Sequence, residues 1–125
     1  MKKIKLITTL IYTLALAYFS LVPVPREFSE TVKVNDIVQH FVAYFTLTFL
    51  WYLYWRKIKY SSILSLTVGL LTELIQLTVP YRVFSSIDLV ANTAGVLLFT
   101  IFTAGVKWYP SLLKSRVSGS YVRRE

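Results

Sequence analysis

Three apolar stretches of the chain each carry a pair of polar side chains spaced three or four residues apart. The pairs are Asp36 and His40, Glu73 and Gln76, and Asp88 and Asn92. On a helix, such spacings place both members of a pair on one face. Carboxylates and an imidazole can transfer protons or bind ions, and amides donate and accept hydrogen bonds. The pattern therefore indicates either acid–base chemistry or recognition of a polar group.

The elements that must position these pairs are transmembrane helices. The chain has 125 residues, of which 55% are hydrophobic, and a mean hydropathy of +0.56, which is too apolar for a soluble domain of this size. Four segments are long enough to cross about 30 Å of hydrocarbon, and they span about 5–22, 37–55, 62–79 and 87–106. We expect an all-α, multi-pass membrane protein built as a bundle of four transmembrane helices.

Prolines and basic residues mark the limits of these segments. Pro23 follows the first, Pro80 follows the third, and the sequence WRKIKY separates the second from the third. The transmembrane domain is predicted to cover residues 1–110, and a basic tail to cover 111–125. The first helix also has the basic start, apolar middle and Ala-x-Ala of a cleavable signal peptide. Its apolar run fills a whole span, which favours a retained helix.

The distribution of lysine and arginine predicts the orientation. All fourteen of these residues except Arg26, Lys33 and Arg82 fall at the two termini or between the second and third helices. Cytoplasmic loops carry an excess of positive charge, so both termini are predicted to lie on the cytoplasmic side of the cell membrane. Tryptophans and tyrosines at 51–55 and 108–109 then lie at the cytoplasmic interface, where such rings concentrate.

This topology brings the polar pairs to one depth. With a rise of about 1.5 Å per residue, Glu73 lies roughly 10 Å below the outer boundary, and His40 and Asn92 lie roughly 5–8 Å below it. Charged side chains inside a membrane generally face the bundle interior or a wet cavity. We expect an outward-facing polar pocket between the second, third and fourth helices, with Gly69 and Gly95 allowing close helix packing beneath it.

Two segments of the chain resemble the VanZ-like membrane proteins. They are DIVQHFVAYFTLTFL, residues 36–50, and ELIQLTVPYRVFSSIDLVANTAG, residues 73–95. Ile37 stands where a basic residue is frequent in that family. The resemblance implies functional weight on Asp36, His40, Tyr44, Glu73, Gln76, Arg82, Asp88, Asn92 and Gly95. It also implies a link to low-level resistance against teicoplanin, a lipid-tailed glycopeptide antibiotic.

Our main interpretation is a binding protein. The pocket would hold the head group of an amphiphile that lies among membrane lipids, such as a lipid-linked cell-wall precursor or a lipoglycopeptide. Arg82 would hold an anionic group. The predicted ligand-binding residues are Tyr44, Gln76, Arg82, Asp88 and Asn92.

Two alternatives stay open beside it. An intramembrane enzyme that modifies a lipid or glycolipid head group would use His40 as the base, oriented by Asp36, and Glu73 as the acid. A small proton-coupled carrier would use Glu73 as its coupling site. Each of these residues also has a structural interpretation as a hydrogen-bonding link between helices.

Other function classes find little support in the sequence. The formal net charge of +8 sits between apolar runs instead of on one face, so we expect no nucleic-acid partner. The absence of cysteine excludes disulfides and thiolate metal sites. Carboxylates with one imidazole can hold a divalent ion, and Asp36, His40, Glu73 and Asp88 form such a set. No HExxH-type spacing is present, however, and we expect no metal and no cofactor. The oligomeric state stays open.

Overall fold

The described part of the chain is a bundle of four α-helices. The computed structural model describes residues 1–22, 33–81 and 84–121. The helices are α1 (Lys2–Leu21), α2 (Lys33–Trp55), α3 (Ile58–Gln76) and α4 (Ser86–Tyr121). Each contains a segment long and apolar enough to cross a membrane. For these residues, the predicted all-α fold with four helices long and apolar enough to span a membrane is confirmed, while the orientation of the termini stays a prediction.

Several helix boundaries differ from those predicted. α2 and α3 each begin four residues earlier, and α1 begins three residues earlier. α3 ends at Gln76, before the predicted limit at 79, because the next three amide groups bond three residues back, to the carbonyls of Leu74, Ile75 and Gln76. This tighter turn satisfies the last carbonyl groups of the helix. α4 continues past the predicted limit at 106 and through Pro110 to Tyr121. A proline removes one helical hydrogen bond, but its φ angle is compatible with a helix.

Many of the buried side chains of the bundle are polar, and many of the exposed ones are apolar. Thr48, Ser61 and Ser65 are fully buried, whereas Phe19 and Ile101 are about two-thirds exposed. Two of the buried hydroxyls donate to the carbonyl one turn earlier, at 2.8 Å for Thr48 and 3.0 Å for Ser61. This distribution would be unfavourable in water, but acyl chains solvate the outer face of a membrane protein and add no hydrophobic force between its helices.

The centre of the bundle is α2, which packs against all three other helices and most extensively against α4. Its buried Tyr44, Leu47 and Trp51 form the apolar core together with Val96 of α4. Gly95 of α4 sits directly on the α2 backbone, since a Cβ atom there would overlap the Phe41 carbonyl oxygen. The α2–α4 contact is therefore made between main chains, as small residues permit in membranes.

α1 is attached to this centre differently, through side chains that bond to main-chain carbonyls. Tyr12 donates to the Ala43 carbonyl at 3.1 Å. Near the other end of the helix, the Gln76 amide of α3 donates to the Ser20 carbonyl at 2.9 Å. α1 therefore lies against α2 and α3 as an outer wall of the bundle.

Candidate functional site

The polar pairs of α2, α3 and α4 meet at one end of the bundle. At this end α2 and α4 begin and α3 ends. Side-chain hydrogen bonds join α2 to both neighbours there, from His40 to Asn92 of α4 and from Tyr44 to Thr72 of α3. The high cost of placing such groups against lipid explains why they turn toward one another.

His40 is held in a defined orientation by Asn92. The imidazole Nδ1 lies 2.9 Å from Oδ1 of Asn92, and the Asn92 side chain is 2% exposed. An amide oxygen only accepts hydrogen bonds, so the Nδ1–H group of His40 donates. The second ring nitrogen, Nε2, is then left to face other partners.

Two carboxylates surround this second nitrogen. Nε2 of His40 lies 3.7 Å from Oδ1 of Asp36, one turn earlier on α2, and 3.9 Å from Oδ2 of Asp88 on α4. Asp88 occupies the first turn of α4, and its amide donates to the Ser85 hydroxyl at 3.2 Å, which caps the helix. The imidazole and both carboxylates offer three ligand atoms within 4.8 Å of one another.

Glu73 and Gln76 connect α3 to neighbouring segments. Glu73 is fully buried, and its Oε2 accepts a hydrogen bond of 3.3 Å from the Ser85 amide. Gln76 is 3% exposed and bonds to the Ser20 carbonyl of α1. Both side chains therefore help to hold the bundle together at the end where the polar groups gather.

Tyr44 lies buried at the bottom of this region. Its hydroxyl lies 3.0 Å from the Thr72 hydroxyl, which also bonds to the Gly69 carbonyl at 2.9 Å. A Cβ atom at Gly69 would come within 3.1 Å of the Tyr44 ring and 3.6 Å of the Asn92 Cβ. Gly69 thus makes room for Tyr44 and Asn92. The sequence analysis missed Thr72, although its spacing of four residues from Gln76 extends the polar face of α3.

A cavity of about 380 Å³ lies between α1 and α2. The sequence analysis predicted a pocket between α2, α3 and α4, and it did not predict that α1 would line one. Gly69 and Gly95 bring α3 and α4 close to α2, whereas the small side chains of Ala15 and Ala43 leave space on the α1 side. Residues lining the cavity are Tyr12, Ala15, Leu16, Phe19, Ser20, Asp36, Gln39, His40, Ala43 and Tyr44.

The predicted site residues therefore occupy different places. Asp36, His40 and Tyr44 line the cavity. Asp88 and Asn92 stand behind His40 and contact it from α4. Arg82, the predicted anion anchor, lies outside the described residues. The sequence analysis did not single out Gln39 and Ser20, which add polar groups to the cavity wall. Gln39 could have been found, because it is a polar residue directly before His40.

Comparison with known proteins agrees with this architecture. Residues 9–107, which include most of each helix, match the family model described as VanZ/LLP1. No curated protein and no solved structure matches the chain. The resemblance seen in the sequence is confirmed, and the chain belongs to the VanZ/LLP1 family.

Proposed function

We propose that this membrane protein binds the polar head group of an amphiphile in the cavity between α1 and α2, with the apolar part of the ligand against α1. The observation that carries the proposal is the two-sided lining of the cavity. Leu16 and Phe19 of α1 offer an apolar wall, and Asp36, Gln39 and His40 of α2 offer a polar one. A molecule that is itself half apolar and half polar matches both walls.

The size and exposure of the cavity support this assignment. Ligand sites usually measure about 300–1,000 Å³, and the cavity of about 380 Å³ falls in that range. The Asp36 side chain is 47% exposed, so the polar wall is accessible, while His40 is 15% exposed. A carboxylate, an amide and an imidazole together suit a head group rich in hydroxyl, amide or amine groups.

Two kinds of amphiphile fit this chemistry, namely lipid-linked cell-wall precursors and lipoglycopeptides. Both join a long apolar chain to a sugar or peptide group. Family membership suggests teicoplanin as the lipoglycopeptide to test, and capture of the antibiotic at the membrane would contribute to resistance. The predicted orientation, with both termini inside, places the site toward the outer leaflet, where such molecules meet the cell wall.

Equilibrium binding to the full chain in lipid nanodiscs tests the proposal. We expect saturable binding of teicoplanin, and much weaker binding of a glycopeptide that lacks the acyl chain. Ala15→Leu, which extends a side chain into the cavity, should weaken binding at least tenfold. Ala104→Leu is the matched control, because Ala104 is an exposed residue of α4.

Three results would contradict simple binding. Uptake that grows linearly with concentration would indicate partition into lipid, and equal affinity in the two alanine variants would place the site elsewhere. Recovery of the ligand in a chemically altered form, detected by mass spectrometry, would favour the intramembrane enzyme.

A further inference from the structure

We propose that Asp36, His40 and Asp88 bind a first-row divalent metal ion, of the class that includes Zn²⁺ and Mn²⁺. The proposal does not depend on the amphiphile, because it rests on the geometry of three side chains and one buried amide. It also departs from the expectation drawn from the sequence, which was that no metal is bound.

The distances are too long for direct hydrogen bonds between the imidazole and the two carboxylates. Charge-assisted hydrogen bonds between nitrogen and oxygen measure about 2.7–2.9 Å. Nε2 of His40 lies 3.7 Å from Asp36 and 3.9 Å from Asp88, which is too far for such a bond. Ligand atoms at about 2.1 Å from a shared ion lie roughly 3.0–3.4 Å apart when they occupy neighbouring positions. To share one ion with the imidazole, both carboxylates must move less than 1 Å closer to Nε2, and they must also approach each other, since the three ligand atoms now lie within 4.8 Å of one another.

The hydrogen bond between His40 and Asn92 sets the tautomer that a metal needs. Because Nδ1–H donates to Asn92, a neutral imidazole directs the lone pair of Nε2 toward two carboxylates. A lone pair facing two anions is electrostatically unfavourable unless a metal ion lies between them or Nε2 is protonated, and the labelling experiment below distinguishes these two states. Metal-binding histidines usually donate their other N–H to a carbonyl or carboxylate in this way. Asn92, 2% exposed, is thus a positioning residue.

The donor set indicates which ions would bind. One imidazole nitrogen and two carboxylate oxygens suit Zn²⁺, Mn²⁺ and Fe²⁺, whereas Cu(I) prefers sulfur ligands. Three protein ligands leave at least one coordination position open, as in catalytic zinc sites. Since Asp36 and His40 also line the cavity, an ion at this position would stand at its polar wall.

The experiment uses the full chain in nanodiscs, purified without a histidine tag, stripped of metal with a chelator and given metal alone. Loss of the free Mn²⁺ signal in electron paramagnetic resonance reports Mn²⁺ binding, and competition with a coloured chelator reports Zn²⁺ affinity. We expect one ion per chain, with affinity at least tenfold lower in His40→Gln and in Asp88→Asn. Asn92→Ala should weaken binding by about 10- to 100-fold, as is typical for partners that orient a ligand.

Glu73→Gln serves as the matched control. It neutralises a fully buried carboxylate at the same end of the bundle that is not one of the three ligands, and its amide oxygen can still accept from Ser85. Metal affinity should stay within about threefold of the wild type. If Glu73→Gln abolished binding as completely as Asp88→Asn does, the ligand assignment would be wrong.

A second measurement reads the imidazole directly, without any substitution that endangers folding. The chain contains one histidine, so ¹⁵N-histidine labelling gives the spectrum of His40 alone. Zn²⁺ should shift the Nε2 resonance and leave Nδ1 protonated. An imidazolium that keeps both protons in the presence of excess Zn²⁺ would overturn the proposal. Because no amphiphile is present, failure of amphiphile binding and failure of metal binding are separate results.

Discussion

The Nδ1 atom of His40 lies 2.9 Å from Oδ1 of Asn92, so a side-chain hydrogen bond joins α2 to α4 across 52 residues of sequence. It fixes the direction of the imidazole and also contributes to the packing of the two helices. These two roles can be measured separately, because the stability of the bundle can be measured with no ligand or metal added.

Replacing Asn92 by Leu should destabilise the bundle. The substitution keeps the approximate volume but removes the acceptor of His40, and hydrogen bonds between transmembrane helices contribute about 0.6–2 kcal/mol. Reversible unfolding in mixed micelles measures the change. Thr93→Val is the control, because the Thr93 hydroxyl bonds to Leu89 of its own helix, at 2.8 Å. Equal stability of the two variants would mean that the bond between the helices contributes nothing.

Replacing Gly95 by Ala should be more damaging than the same change at Gly105. The new methyl group at 95 would overlap the Phe41 carbonyl oxygen and approach the Phe45 amide nitrogen to 3.0 Å, so the two helices must separate. Overpacking of this kind costs about 1–3 kcal/mol. At Gly105 nothing lies within 4 Å of the added atom, and alanine favours the helix by about 1 kcal/mol. Opposite signs in thermal unfolding are expected, and a stabilised Gly95→Ala would refute the main-chain contact.

Replacing Tyr44 by Phe removes one hydroxyl group from the buried bottom of the site. Its partner Thr72 loses a bond of 3.0 Å, and the net cost of such a loss is about 0.5–1.5 kcal/mol. Tyr60→Phe is the matched change on an exposed ring, at 57% exposure, and should be neutral. The free energies of unfolding of the two variants, compared in one detergent, test whether the Tyr44 hydroxyl is bonded in the folded protein.

The predicted orientation can be tested by labelling single cysteines, since the natural chain has none. Lys59→Cys lies next to the short connection between α2 and α3, and Tyr81→Cys lies after α3, on an exposed residue. A reagent that does not cross membranes should modify position 81 in intact cells and position 59 only after permeabilisation. The reverse pattern would show that both termini lie outside.

The four helices and the meeting of the polar pairs at one end could be predicted from the sequence. Span length determines the number of helices. The unfavourable exposure of Glu73 or His40 to lipid requires both to face inward. This reasoning needs only the position of each residue along its own helix.

The position of the cavity and the distances between the three ligand atoms could not be predicted in this way. α1 contains no charged pair in its apolar run, so nothing marked it as a wall of the site, and its place depends on Tyr12 bonding to a main-chain carbonyl. How near Asp88 comes to Asp36 and His40 depends on how closely α4 packs against α2, where Gly95 contacts the Phe41 carbonyl. A search for metal-binding motifs along one helix cannot find ligands shared by two.

α1 is held to the bundle by side-chain hydrogen bonds, whereas α2 and α4 meet through their main chains at Gly95. This difference has a consequence for how a lipid would reach the site. Displacing α1 sideways breaks, among the described residues, the bonds of Thr9 to Leu50, Tyr12 to Ala43 and Gln76 to Ser20. Such a displacement would not open the main-chain contact between α2 and α4. The hydrogen bond that orients the His40 imidazole would therefore also be kept. If the proposed amphiphile enters from the leaflet, the route between α1 and α2 would admit it without opening the α2–α4 contact and without passage through water.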